Sequence, residues 1–361
     1  MKNNNQKAVI MAAFLFLLGL SIVLTGCKTG QTDDSVDQNE VIEENDASVE
    51  DSVHSVADLT TMIRSNPLNS GLFAKRAEAQ AAAGNFEEAL NDISLAIKLD
   101  SLNPSYYVIQ AEYFIFGGEP NSAKKGLTQC LNLFPDNTEI MLKLAEIHFY
   151  LQEYSQSKGI LRQVKLIDND IAQIYFIDGL ILLENKDTTN AIRNMRFAIE
   201  KEPEFYPAFI ALGRIHSAQN NDLAIDYYRA AADIIPDSYE ARYNLGLYLQ
   251  DHNYSTEAIN EYQYIIDQID STLANPYYNI GYINLIYVED FDQALEYFTL
   301  ALEKDPEYVD AWYNRGFVYE ITGKYKKARD DYQQSLEISP NYALSIKGLN
   351  RLDDNKPFQY K

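Results

Sequence analysis

The chain has 361 residues, 46% of them apolar, enough to bury a large core. It carries 30 Lys and Arg against 53 Asp and Glu, a formal net charge of −23, and a surface so acidic repels a phosphate backbone, which argues against nucleic acid as a partner. Two cysteines, Cys27 and Cys130, cannot make a disulfide framework.

Residues 1–26 read as an export signal. Lys2 and Lys7 make a positive start, the apolar run 8–23 is interrupted only by Gly19 and Ser21, and Leu24-Thr25-Gly26-Cys27 follows. The run is short for a spanning helix and ends in small residues, as a cleaved signal does; an uncleaved membrane anchor is the alternative. The Leu-Thr-Gly-Cys string resembles the lipobox of bacterial lipoproteins. That resemblance implies cleavage before Cys27, a covalent lipid on this residue, and a place in the cell envelope on the outer membrane, facing either the periplasm or the surface. Lys28 follows, where an Asp would resemble the inner-membrane retention signal. Several acyl chains on one residue anchor firmly, because each buried methylene adds about 0.8 kcal/mol.

From 29 to 63 there is no Lys or Arg, and nine acidic residues lie between Asp33 and Asp51. Such a segment cannot bury enough to repay its ordering entropy, so 27–54 is expected to be a lipidated, acidic, extended tether. The acidic run also resembles surface-export signals of Bacteroidota. Asp34-Ser35-Val36 and Asp51-Ser52-Val53 resemble the O-glycosylation sequon of that phylum.

After residue 55 the sequence becomes periodic. Ala89, Ala123, Ser157, Ala191, Ala224, Ala258, Ala294 and Ala328 recur at intervals of 33 to 36 residues. A second small marker accompanies them: Ala77, Ala111, Ala145, Gly179, Gly213, Gly246, Gly281 and Gly316. A third, seven residues after the first, runs from Ala96 and Cys130 to Ser335. A bulky residue stands between the first and third: Ile93, Leu127, Leu161, Met195, Tyr228, Tyr262, Phe298 and Tyr332. Pro135, Pro203, Pro236, Pro306 and Pro340 close five units. Small residues let two helix backbones approach, the bulky residue fills the gap, and proline ends one helix and sets the turn to the next.

These markers resemble the tetratricopeptide repeat, and the likeness covers about 70–342. It implies an all-α fold: a right-handed α-solenoid of eight helix-turn-helix units at 70–103, 104–137, 138–171, 172–205, 206–238, 239–273, 274–308 and 309–342. An open stack needs caps. Residues 55–69 supply an N-terminal half-repeat. Residues 343–361 supply a closing helix and tail, with Leu344, Leu349 and Leu352 inward and Lys347 and Arg351 outward. The fifth unit lacks one residue in its internal turn. The seventh has one extra near Glu289 and Asp290, and one more residue separates the sixth and seventh.

No enzyme constellation is present: there is no phosphate-binding glycine loop, HExxH, GxSxG or CxxC. His148 and His216 share one first-helix position that is apolar elsewhere, so both are expected to face the core. Cys130 is expected to be a buried, inert thiol. The sequence therefore implies no enzyme, no metal and no cofactor beyond the lipid on Cys27.

The resemblance places ligand contacts on the first helices, which line the concave side. The last three units read Tyr-Asn-x-Gly. This sets Asn244, Asn279 and Asn314 in a ladder beside Tyr243, Tyr278 and Tyr313, with Tyr282 and Phe317 one helical turn further on. In relatives an asparagine here holds an extended peptide by its backbone, because an amide both donates and accepts. The same asparagine can instead tie adjacent helices together. Apart from Lys75, Lys143 and Arg214 the face is almost free of basic residues, so a neutral or basic protein segment is the expected partner. The first expectation for function is a non-catalytic interaction scaffold anchored to the envelope. A surface glycan-binding lipoprotein, motivated by the 27 tyrosines, and a structural subunit of an outer-membrane assembly or secretion complex are the alternatives.

Overall fold

The computed structural model describes residues 54–358, so the export signal, Cys27 and the acidic tether lie outside the described residues. The described residues form eighteen α-helices and no strand. The described residues divide into two compact units, 54–194 and 195–358, and the division falls within a helix.

In the first unit a single helix, α1 (Val56–Ser65), precedes helix pairs α2 (Ser70–Ala82) with α3 (Phe86–Leu99), α4 (Pro104–Phe116) with α5 (Pro120–Leu131), and α6 (Thr138–Tyr150) with α7 (Tyr154–Ile167). Then come α8 (Ala172–Glu184) and α9 (Thr188–Lys201), within which the division falls. Local chemistry starts these helices. Ser55 and Asp58 form a reciprocal capping box on α1. Asn69, Asn103 and Asn137, 34 residues apart, cap α2, α4 and α6 by accepting backbone N–H bonds. Pro104 and Pro120 sit at helix starts, where a missing amide hydrogen costs nothing. The lone α1 takes the role of a second helix. The Arg76 guanidinium grips Asp92 through two 2.7 Å bonds and reaches back to the Thr60 hydroxyl of α1 at 3.1 Å.

The second unit holds α10 (Tyr206–Ala218) with α11 (Leu223–Ile234), α12 (Tyr239–Asp251) with α13 (Ser255–Tyr264), α14 (Ala274–Ile283) with α15 (Phe291–Lys304), α16 (Val309–Ile321) with α17 (Tyr325–Ile338), and the closing α18 (Ala343–Asp353). Arg315 repeats the geometry of Arg76, gripping Asp331 and reaching the Thr299 hydroxyl.

Each first helix ends in one residue with left-handed φ: Gly84, Gly118, Gln152, Lys186, Asn220, Asn253, Glu289 and Gly323. In seven of the eight, Glu289 apart, the next amide then returns to a carbonyl five residues back, as Asn85 N–H does to Gln80 O at 2.9 Å. The two extra residues of the sixth and seventh units do not loop out. Each widens a helix end into a π-helical turn, at Ile265–Ile269 and Asn284–Val288, and the second leads into Glu289 at φ 60°. The insertion expected in the turn at Glu289 and Asp290 is thus absorbed before it, inside the helix, where Leu285 remains buried.

The crossings show why the small markers matter. In the first unit Ala77 shares one core cluster with Ile93, and Ala111 shares the next with Leu127. Ser157 replaces alanine without loss because its hydroxyl is donated to the Ala145 carbonyl at 2.8 Å. In the second unit the partner is aromatic and alanine no longer fits. A Cβ on Gly213 would lie 2.5 Å from the Tyr228 ring, on Gly246 2.8 Å from Tyr262, on Gly281 2.9 Å from Phe298 and on Gly316 3.0 Å from Tyr332. Cys130 is buried as expected, and desolvation raises its thiol to about 11, so it is inert.

The closing helix differs from its sequence expectation in two residues. Leu344 is exposed, and Arg351 turns inward, donating to both oxygens of Glu320 at 2.9 and 2.6 Å. Glu320 is 1% exposed, and a buried carboxylate left unpaired costs more than an apolar side chain left in water.

Gly246→Ala should destabilise the protein by about 1–3 kcal/mol through overpacking against Tyr262. Combining it with Tyr262→Leu, which recreates the Ala–Leu crossing of the first unit, should recover at least about 1 kcal/mol of the summed loss. Chemical denaturation of the four proteins in the cycle measures this; strictly additive losses would refute the size match.

Candidate functional site

The first helices of neighbouring repeats touch one another within each unit. In the second unit their shared face carries the tyrosines singled out by the sequence. Tyr278 stacks on Tyr308 with ring centres 4.7 Å apart and lies 6.3 Å from Tyr282. Tyr313 lies 6.2 Å from Phe317 and 5.9 Å from Tyr342. Tyr239 stacks on Tyr243 at 5.0 Å. Each such pair contributes about 0.5–1.5 kcal/mol beyond its burial, which favours this arrangement of the rings. Burial pushes the Tyr239 hydroxyl up to about 12 and raises Tyr278 and Tyr308 further, so all three stay neutral donors.

Tyr239, Tyr308 and Tyr342 were not anticipated. They sit where first helices begin, and their register with Tyr206 is visible in the sequence only once repeat boundaries are fixed. In a chain with 27 tyrosines that signal is easily lost.

Two of the three ladder asparagines, Asn279 and Asn314, point between helices. The Asn279 amide donates to the Tyr243 hydroxyl at 3.3 Å and the Asn314 amide to the Tyr278 hydroxyl at 2.9 Å. Both asparagines are nearly buried, at 5% and 8% exposure. Of their two expected roles, the structure realises the tie: each fixes the tyrosine of the preceding repeat. Asn244 is half-buried, and the matching place one repeat earlier is Ile210, which has no hydroxyl to offer.

The basic residues expected on the first-helix face are largely engaged. Lys143 lies 2.9 Å from Glu112 and 3.2 Å from Glu146, and Gln173 donates to the other Glu146 oxygen. Glu146 is fully buried, and desolvation raises its carboxyl against the pull of Lys143. Arg214 is paired with Glu240. Lys75 is exposed.

The paired histidines part company. His148 is only half-buried, with Nδ1 2.6 Å from Glu153. His216 lies in the core as expected, stacked on Tyr227 with ring centres 5.3 Å apart, and neither of its ring nitrogens has a hydrogen-bond partner. Among the described residues no group of three His, Cys, Asp or Glu side chains could hold a metal, and no helix is long and apolar enough to cross a membrane.

Burial lowers the His216 pKa, with the charge of Arg196 adding to the effect. The unfolded chain therefore binds a proton that the folded chain resists. This stability is complete above the ordinary histidine value near 6.5 and is lost as pH falls below it. His216→Phe should flatten the loss of stability between about pH 7 and 5, read by denaturant melts at each pH; an unchanged slope would show that His216 does not set it.

Tetratricopeptide-repeat families match residues 178–239, 274–308 and 309–342. The uncharacterised protein ycf37 of Cyanophora paradoxa is 31% identical over 140 residues, covering 35% of this chain and 80% of that protein. Tetratricopeptide repeat protein 8 of Caenorhabditis elegans is 23% identical over 149 residues, covering 41% of this chain and 29% of that protein. The chain spans less than a third of the length of the first curated relatives it matches, down to 19% for human superkiller complex protein 3. Among solved structures, the C-terminal part of a tetratricopeptide repeat-containing protein from Cytophaga hutchinsonii superposes with a TM-score of 0.57 at 16% identity, covering 68% of this chain and 99% of that one. Eight helix pairs with small residues at their crossings, and three segments that match the family, make this chain a tetratricopeptide-repeat protein.

Proposed function

We propose that this chain is a non-catalytic scaffold that holds an extended, neutral or basic protein segment against the first-helix face of its C-terminal unit. The observation that carries the reading is the tyrosine row on α12, α14 and α16, held in place from behind by Asn279 and Asn314. Aromatic rings fixed before binding give contact area at little entropic cost, and tyrosine hydroxyls add hydrogen bonds to a peptide backbone. Ligand contact falls to Tyr243, Tyr278, Tyr282, Tyr313 and Phe317. The asparagines act as positioning residues. The net charge of −23 disfavours an anionic segment.

The double variant Tyr278→Ala, Tyr313→Ala should weaken capture of a discrete envelope protein by about tenfold or more, at roughly 1.4 kcal/mol per decade. Affinity capture from gently solubilised envelopes, read by mass spectrometry, measures it. Full retention of the same partner would move the binding surface off this face.

The scaffold is placed at the envelope by its N-terminus: export by residues 1–26, lipid on Cys27, and a spacer of acidic residues that lifts the repeats from the membrane. Cys27→Ser should release the protein from the membrane pellet into the soluble fraction and abolish incorporation of labelled fatty acid. Persistent pelleting of this variant in high salt would favour an uncleaved anchor instead.

A further inference from the structure

The last described residues turn back onto the candidate face. Asn355 has a φ of 54°, and Lys356 N–H returns to Arg351 O at 2.9 Å, the turn that leads from first to second helix in the repeats. Beyond it the chain leaves the helical path. The Phe358 amide donates to Glu320 Oε1 at 2.7 Å, and its ring stands edge-on to Phe317 with centres 5.1 Å apart. The Arg351 guanidinium lies 5.9 Å from the same ring. Glu320 is fixed independently of this tail by the Tyr332 hydroxyl at 2.6 Å and by Arg351. Its acceptor is therefore in place whether or not the tail is.

We propose that this seat is a recognition subsite for an extended segment in which an aromatic residue follows proline. At rest it holds the chain's own Lys356-Pro357-Phe358; in the bound state it holds a partner segment of the same chemistry. The inference rests on reading the α12, α14 and α16 face as the binding surface. Three observations support it. Phe317 is in line with Tyr313, so the tail ring continues the aromatic row. Proline restricts the residue before it to extended backbone, which presents the following amide and ring at little entropic cost. The contacts are few, and Phe358 remains 44% exposed. Such contacts hold a tethered segment because its effective concentration is about millimolar, and they yield to a longer competitor. A carboxylate acceptor on an acidic protein also selects against acidic segments and tolerates a lysine before the proline.

The probe is an amidated peptide of residues 355–358 carrying a rhodamine label at its N-terminus, titrated by fluorescence anisotropy into the full chain. Phe358→Ala, which removes the tail's ring from the seat, should bind the peptide at least tenfold more tightly than the unchanged protein. Adding Phe317→Ala to that variant should abolish the gain, with both variants melting as cooperatively as the unchanged chain. Equal affinity of Phe358→Ala and unchanged protein, no binding by either, or binding indifferent to Phe317→Ala overturns the subsite. If the peptide result fails while Tyr278→Ala, Tyr313→Ala still loses its envelope partner, the subsite alone is wrong. If that variant also keeps its partner, the face is wrong as well.

Discussion

Two helices can approach only as closely as the side chains at their crossing permit, and this limit recurs in every repeat of the chain. A repeat contacts chiefly its neighbours, so no large central core compensates for a badly fitted crossing. The first unit uses alanine against Ile93 and Leu127. The second uses glycine against Tyr228, Tyr262, Phe298 and Tyr332, with a methyl's worth of space passed from one helix to the other. Interiors packed at crystal density feel a change of one methylene, so each pair must vary together. The larger rings have a further effect. A tyrosine spanning the crossing carries a hydroxyl to the far side, as Tyr332 does to Glu320 and Tyr262 does to Gln250, at 2.6 and 3.3 Å.

The fold was legible because its determinants are local and repeated. Periodic small residues and terminal prolines report helix crossings and ends directly. The left-handed turn residues were not all legible. Gly84, Gly118 and Gly323, and with them Asn220 and Asn253, advertise the conformation, while Gln152, Lys186 and Glu289 adopt it because the helices on both sides fix the turn. The fate of the insertions was hidden for a related reason. Sequence spacing shows that residues are added, but whether they loop out or widen a helix depends on which side chains must stay in the core. Leu285 stays, so the helix widens.

The candidate face was legible in its residue types and not in their division of labour. Tyr-Asn-x-Gly names the participants, yet a hydrogen bond from Asn279 to Tyr243 spans 36 positions and depends on the separation of two first helices. The same holds for Arg351. Its outward assignment follows from its own helix alone, and its inward position follows from a buried carboxylate on another. Charged residues are poorly placed by periodicity because their partners, and not their own hydropathy, decide which way they face.

Burial of Asn279 and Asn314 sharpens the chemistry of the face. An amide that reaches a ligand must spend free energy to order itself on binding. An amide spent on the neighbouring tyrosine has lost that freedom during folding, and it hands the ligand a ring already held at a fixed angle. The two arrangements also differ in what they select. Amides reading a peptide backbone accept any sequence, whereas a row of fixed tyrosines discriminates by shape and by affinity for flat or basic groups. On a chain with a net charge of −23, whose first-helix Lys143 and Arg214 are engaged by carboxylates, aromatic contact and a few placed acceptors such as Glu320 are the chemistry this face has to offer.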